Sequence, residues 1–296
     1  MMLMIRLATI AFLLMSFSLL PAQEFYYYGV NSKPLDNKQN AVVTKEVIKR
    51  SGNRYVILKK EPAGEDWRRT GKQKIRITEE GRMKIREIKP DRLFPEKFYR
   101  LYDSTGQSGY QFRDSLNGIV LKAGSASSLI PLELEGTLTE YYRNGKLKSV
   151  SMYHGNQLTG NENWLPDGTR YVDSIFYSVD RVPEFEYGPQ FFNSYLMQKL
   201  KQSGFDLSQV ADNVVIGWVV MENGQLEAPV SLEGKSVQLR EILVNIIAGL
   251  PGTWQPAVLN GRPVRYFMTL PLNFIHQDVT FQNLEISGSI LHYDKF

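Results

Sequence analysis

Few residues in this chain are of a type that does covalent chemistry, and they are scattered. His154, His276 and His292 lie far apart, and none has a ligand-spaced partner, so no zinc site is expected. The chain has no cysteine, which removes disulfides, thiol nucleophiles, thiolate metal sites and a lipid-bearing N-terminal cysteine. Gly124-Ser125-Ala126-Ser127-Ser128 is serine-rich but lacks the second glycine of a nucleophile elbow, and it reads as a loop. Glu184 and Glu186 are neighbours in sequence, yet two carboxylates alone do not make an acid–base pair. A His-Glu-x-x-His helix, a phosphate loop and a dinucleotide fingerprint are all missing from the sequence. No enzymatic activity, catalytic residue, metal or cofactor is expected. The chemistry that remains is binding, through backbone hydrogen bonds and charged side chains.

The elements that would present such a surface come in two styles. From Ala41 the pattern is short and alternating: Val42-Val43, Val47-Ile48, Tyr55-Val56-Ile57-Leu58 and Ile75-Arg76-Ile77, punctuated by Gly52, Gly64, Gly71 and Gly81. Strands joined by glycine turns are predicted there. Basic residues alternate with apolar ones, as on a half-exposed sheet. The stretch from Lys33 to Arg100 is clearly basic, with Lys59-Lys60, Arg68-Arg69 and Lys72, Lys74 and Arg76. It reads either as a solvated sheet face or as a surface attracted to outer-membrane lipid or cell-wall polymer. The formal net charge is only +4, too weak to imply nucleic acid.

The middle holds a repeat. Gly136-Thr137-Leu138-Thr139-Glu140-Tyr141-Tyr142-Arg143-Asn144-Gly145 is followed by Gly160-Asn161-Glu162-Asn163-Trp164-Leu165-Pro166-Asp167-Gly168. Each unit has a leading glycine, an aromatic, then Asn-Gly or Asp-Gly able to take the positive φ of a tight turn. The aromatic before each turn is placed to stack on its equivalent in the next hairpin. The pattern resembles MORN-like repeats of the YwqK type, covering about two units. Such repeats usually serve as scaffolds or interaction surfaces.

Beyond Asp180–Pro183 the style changes to longer elements. Phe191, Phe192, Tyr195, Leu196 and Leu200 fall at helical spacing, with Gly204 as a stop. Val214–Met221 reads as a buried strand, Glu222-Asn223-Gly224-Gln225 as a hairpin turn, and Leu226–Leu232 as the return. Ser236 is a good N-cap for a helix whose face is Leu239, Ile242, Leu243, Ile246, Ile247 and Leu250. Then come Leu250-Pro251-Gly252-Thr253-Trp254-Gln255-Pro256, the turn Asn260-Gly261, and a strand alternating Val264, Tyr266, Met268, Leu270, Leu272 and Phe274.

That series of punctuation marks resembles the C-terminal domain of the TonB family of periplasmic energy transducers. Pro183-Glu184-Phe185 also matches the start of that unit. The resemblance covers about a third of the chain and suits the TonB-like exported proteins of Bacteroidetes-type bacteria. It implies a module that binds a protein partner, such as a peptide of an outer-membrane receptor, by β-strand addition, linked to TonB-dependent transport. Pro229 guards the hairpin's return strand, so the last strand is the more open edge. The expected partner-binding residues are Arg262, Val264, Arg265, Tyr266, Phe267 and Thr269. Departures from the family matter. No proline-rich linker exists, and Phe205-Asp206 stands where a Tyr-Pro is usual, which puts energy coupling in doubt. The alternative is an envelope-associated scaffold holding lipid or cell wall through the repeat region. No nucleic acid is expected as a partner, and membrane association is at most peripheral.

The N-terminus carries Arg6, an apolar run from Leu7 to Leu20, and Pro21-Ala22-Gln23, the layout of a secretory signal peptide. Export to the periplasm or the outer membrane is the expectation. The whole is then α+β. A leader spans 1–22, and a β-rich region spans 24–180 with MORN-like hairpins at about 134–172. A TonB-like two-layer domain spans 181–275, with two helices on a three-stranded antiparallel sheet. A tail of 276–296 either adds a strand or drapes over that sheet.

Overall fold

A computed structural model describes residues 22–88, 96–106, 109–208, 210–275 and 278–281. The expected leader lies outside the described residues apart from Ala22, and so does most of the tail. Among the described residues, no helix is long and apolar enough to cross a membrane.

One sheet dominates. Its strands are β1 (Gln23–Tyr28), β2 (Pro34–Leu35), β3 (Val43–Arg50), β4 (Arg54–Ala63), β5 (Asp66–Ile77) and β6 (Met83–Ile88). They continue as β7 (Glu96–Ser104), β8 (Tyr110–Leu116), β9 (Ile119–Leu129), β10 (Leu132–Tyr141), β11 (Leu147–His154) and β12 (Gln157–Asn163). From β3 to β12 each strand pairs with the next in a continuous antiparallel meander. Alternation decides the faces. In β6, Met83 and Ile85 are buried while Lys84 and Arg86 are exposed. The buried positions of successive strands, from Val47 and Ile57 to Phe112, Ala126 and Leu138, line one core on one side of the sheet. The sheet rolls around that core until its ends meet. Asn31, just after β1, donates from its side chain to the Leu158 carbonyl of β12 at 2.8 Å. The Tyr28 hydroxyl donates to Glu133 of β10 at 2.9 Å.

The second sheet belongs to the C-terminal part. Its path is β13 (Ile175–Phe176), β19 (Arg262–Ile275), β15 (Ala211–Val220) and β16 (Leu226–Glu233), with β18 (Ala257–Leu259) and β20 (Asp278–Phe281) also on β19. A separate small pair joins β14 (Glu184–Phe185) to β17 (Trp254–Gln255). Helices α1 (Gly188–Gln202) and α2 (Val237–Ala248) pack on one face, burying Phe192, Leu196, Leu200, Leu239 and Leu243 against Trp218 and Met268. Ser236 caps α2 as expected, its side chain accepting from the Leu239 N–H at 3.2 Å.

Of the described residues 57% lie in strands and 12% are helical, so the fold is mostly β and the expected α+β class is wrong. The hairpins read one by one join into a single ladder that also absorbs the segments between them. The second sheet has six strands rather than three. The serine-rich stretch at Gly124 is likewise no loop but the middle of β9. A Cβ on Gly124 would press on the Thr137 carbonyl and Leu138, so small residues there let β10 approach closely.

Candidate functional site

The TonB-like punctuation points converge on one corner. Gly252 has φ +96°, and a side chain there would collide with Glu186 and Tyr187. Glu186 accepts from the Thr253 N–H at 2.8 Å and from the Thr253 hydroxyl at 3.0 Å. Those bonds hold its carboxyl below the usual range. Phe185 packs on Trp254 with ring centroids 5.0 Å apart, and Trp254 in turn lies 6.0 Å from Trp218. The Trp254 N–H donates to the Gly224 carbonyl in the β15–β16 turn at 2.9 Å. Glu184-Phe185-Glu186, the Asn-Gly turn at 223–224 and the Pro-Gly-Thr-Trp run are thus parts of one clasp. Glu186 holds that clasp through its side chain, and Glu184 joins it through backbone pairing with Gln255.

The clasp aims β19, the strand expected to be the open edge. It is not open. On one side Tyr266 to Ile275 pair with Val220 to Ala211 of β15, ten consecutive residues. On the other side, Arg265 and Tyr266 pair in parallel with Ile175 and Phe176 of β13, and Leu272 to Ile275 pair with β20. Arg262 and Val264 sit in the β18–β19 hairpin, opposite Leu259 and Ala257. Only Arg262 among the expected contact residues is exposed. The Nε of Arg265 donates to both carboxylate oxygens of Glu222 at 3.0 Å, and a terminal nitrogen reaches the Asp173 carbonyl at 2.9 Å. Tyr266, Phe267 and Thr269 are buried. Burial pushes the Tyr266 phenol up to about 12. Phe267 points away from the helices, into a second core with Tyr171, Ile175 and Val219.

The sequence missed what covers this edge. The connecting segment from Leu165 to Tyr177 lies over the sheet face opposite the helices, with Tyr171 and Ile175 buried in it. Asn161 of β12 holds that segment from behind. Its amide donates to the Ile175 carbonyl at 2.7 Å, and its carbonyl accepts from the Ile175 N–H at 3.1 Å. Ile175 is thus bracketed on one side by an asparagine and set beside β19 on the other. The only signal was that Gly160-Asn161-Glu162-Asn163 forms a strand without apolar alternation, its asparagines serving as hydrogen-bonding groups.

Two turns of the middle region are alike. Tyr142–Lys146 and Leu165–Thr169 are equivalent turns, each closed by an N–H to carbonyl bond from first to fifth residue at 2.9 Å. The two stack through Asn144, whose side chain donates to the Pro166 carbonyl at 3.3 Å, and through the Tyr142 hydroxyl, which donates to the Trp164 carbonyl at 2.8 Å.

Comparisons with protein-family models, curated proteins and solved structures find no match.

Proposed function

We propose that this is an exported envelope protein whose C-terminal unit binds a protein partner by strand addition at β19, in the manner of the TonB C-terminal domains it resembles. One observation carries the reading. The pairing with β15 runs unbroken over ten residues, whereas the other side is held only in short pieces, by β13 at Arg265 and Tyr266 and by β20 at Leu272 to Ile275, and among the described residues no strand pairs there with Phe267 to Pro271. Each strand pair contributes in proportion to its length, so a longer extended peptide out-competes so short a ladder. β13 then acts as a stand-in that a partner displaces. The order helix, hairpin, helix, strand, with both helices on one sheet face, supports the same reading. A link to TonB-dependent transport rests on the resemblance alone.

The test keeps β19 intact, because Phe267 is a core residue whose replacement by proline would disrupt the sheet. A photo-crosslinking amino acid at exposed Arg262 is combined with Phe176→Pro, which removes a backbone donor from β13. Discrete envelope proteins should be captured at Arg262, and the Phe176→Pro variant should capture more of them. Equal or lower capture from a folded Phe176→Pro variant would sink strand addition at this edge.

A further inference from the structure

The roll carries a surface that strand addition does not use. On its outer face, cations stand directly opposite one another across five strands. Arg50 of β3 faces Arg54 of β4, and Arg54 faces Arg76 of β5. Arg76 faces Lys84 of β6, in a row next to which Lys74 faces Arg86, and Arg86 faces Lys97 of β7. All seven are exposed. Like charges directly opposite in a sheet are destabilising. Elsewhere this chain pairs its lysines with acids across strands, as Lys60 with Glu46 at 2.9 Å and Lys122 with Glu140 at 2.5 Å. Here it does not. These seven side chains line a shallow depression of about 640 Å³ in which none of the described lining residues is acidic.

We propose that this face docks on the phosphate headgroups of an anionic membrane leaflet. Its arginines and lysines supply several donors to phosphate oxygens over a broad face. The apolar neighbours favour lipid over a soluble polyanion. Tyr99 sits opposite Lys84 on the same face, with the Lys84 ammonium 5.7 Å from its ring centroid. Leu101, two residues on and on that same face, is 44% exposed, and Tyr99 is 42% exposed. An exposed leucine beside a tyrosine gains by entering the headgroup boundary, where aromatic rings are at home, and gains little from a hydrated polymer. A formal net charge of +4 is too small for the whole molecule to explain such attraction, so the ladder must supply it locally. Docking through this face is independent of strand addition at β19.

Vesicle co-sedimentation of the purified protein tests it, with phosphatidylcholine vesicles made with or without phosphatidylglycerol. Binding should need phosphatidylglycerol and weaken steeply as salt rises. Arg76→Gln with Lys84→Gln should lower the partition coefficient about thirtyfold, at roughly 1 kcal/mol for each cation. Arg68→Gln with Arg69→Gln makes the same change in net charge at the far end of β5 and should stay within about twofold. Leu101→Ser should lower partitioning about fivefold. Equal losses from the two double variants would overturn the site. Binding to heparin but not to vesicles, or indifference to Leu101→Ser, would overturn lipid as the ligand in favour of a soluble polyanion.

Discussion

The roll and the C-terminal sheet use the same turn but bury themselves differently. Thr78–Arg82, Tyr142–Lys146 and Leu165–Thr169 in or beside the roll, and Met221–Gln225 in the C-terminal unit, are all closed by the same first-to-fifth and fourth-to-first bonds. The strands that these turns connect have different surroundings. The roll covers one face with itself and leaves the other to water, so β6 alternates buried and exposed from Met83 to Arg86. The C-terminal sheet is covered on both faces, by the helices and by Leu165–Tyr177, so in β15 every residue from Val214 to Val220 is buried. A hairpin is thus specified locally by its turn, whereas its place in the molecule is specified by whether one or both faces are apolar.

The largest break in this comparison should come where both faces are packed. Gly217 lies under Phe267, and a Cβ there would overlap the ring. Phe267→Ala should cost about 3–5 kcal/mol by chemical denaturation. Gly217→Ala should cost about 1–3 kcal/mol by overpacking. The two should be less than additive, because removing the ring relieves the overlap. Full additivity would show that Phe267 does not press on Gly217 beneath the Leu165–Tyr177 cover.

The roll's own vulnerable point is polar. Arg100 and Asp114 are buried in it and joined by two bonds at 2.7 and 2.8 Å. Asp114→Leu alone should cost about 3–5 kcal/mol by leaving a buried guanidinium unpaired. Adding Arg100→Leu should recover most of that loss, measured on the same denaturation curves.

A smaller effect sharpens the boundary between the two regions. Asn161→Ala removes both bonds to Ile175 and should cost about 1–3 kcal/mol. It should also separate the melting of the C-terminal sheet from that of the roll in calorimetry. A single unchanged transition would mean that Asn161 does not couple them.

Much of the local structure was legible. The α2 cap at Ser236, the turn at Glu222–Gln225 and the alternate β19 residues that face the helix-side core, Val264 to Phe274, came from residue type and period alone. The roll was not legible. Nothing in a strand's own sequence says that ten consecutive hairpin strands share one ladder, because register and closure are set by long-range pairing. That β19 is already paired was not legible for a related reason. Absence of proline in Val264–Leu270 shows that a strand can pair, not that it is unpaired. Its cover, Ile175-Phe176, is too short to carry a periodic signal. The cationic ladder was half legible. The basic residues were plain, but that they stand opposite one another depends on register.

The smallest effect concerns the clasp that aims β19. Glu186 is held by the Thr253 N–H and hydroxyl, and its folded carboxyl lies below its ordinary value. A depressed carboxylate contributes stability that is complete above the unfolded carboxyl range and is lost as pH falls through the folded value. The melting temperature should therefore drop on acidification below about pH 4.5, the ordinary glutamate range. Glu186→Gln keeps one acceptor for the Thr253 N–H but cannot titrate, so it should flatten part of that drop while lowering stability slightly at neutral pH. Because this carboxylate is exposed, screening by water keeps the difference small. The roll supplies the contrast. Glu135 is half-buried and similarly held, by the Gly155 N–H and by His154, so Glu135→Gln should flatten a separate part of the acid limb. If the two variants are additive, the clasp and the roll unfold from acid independently. If Glu186→Gln alone abolishes the acid limb, the corner around Trp254 governs the whole molecule.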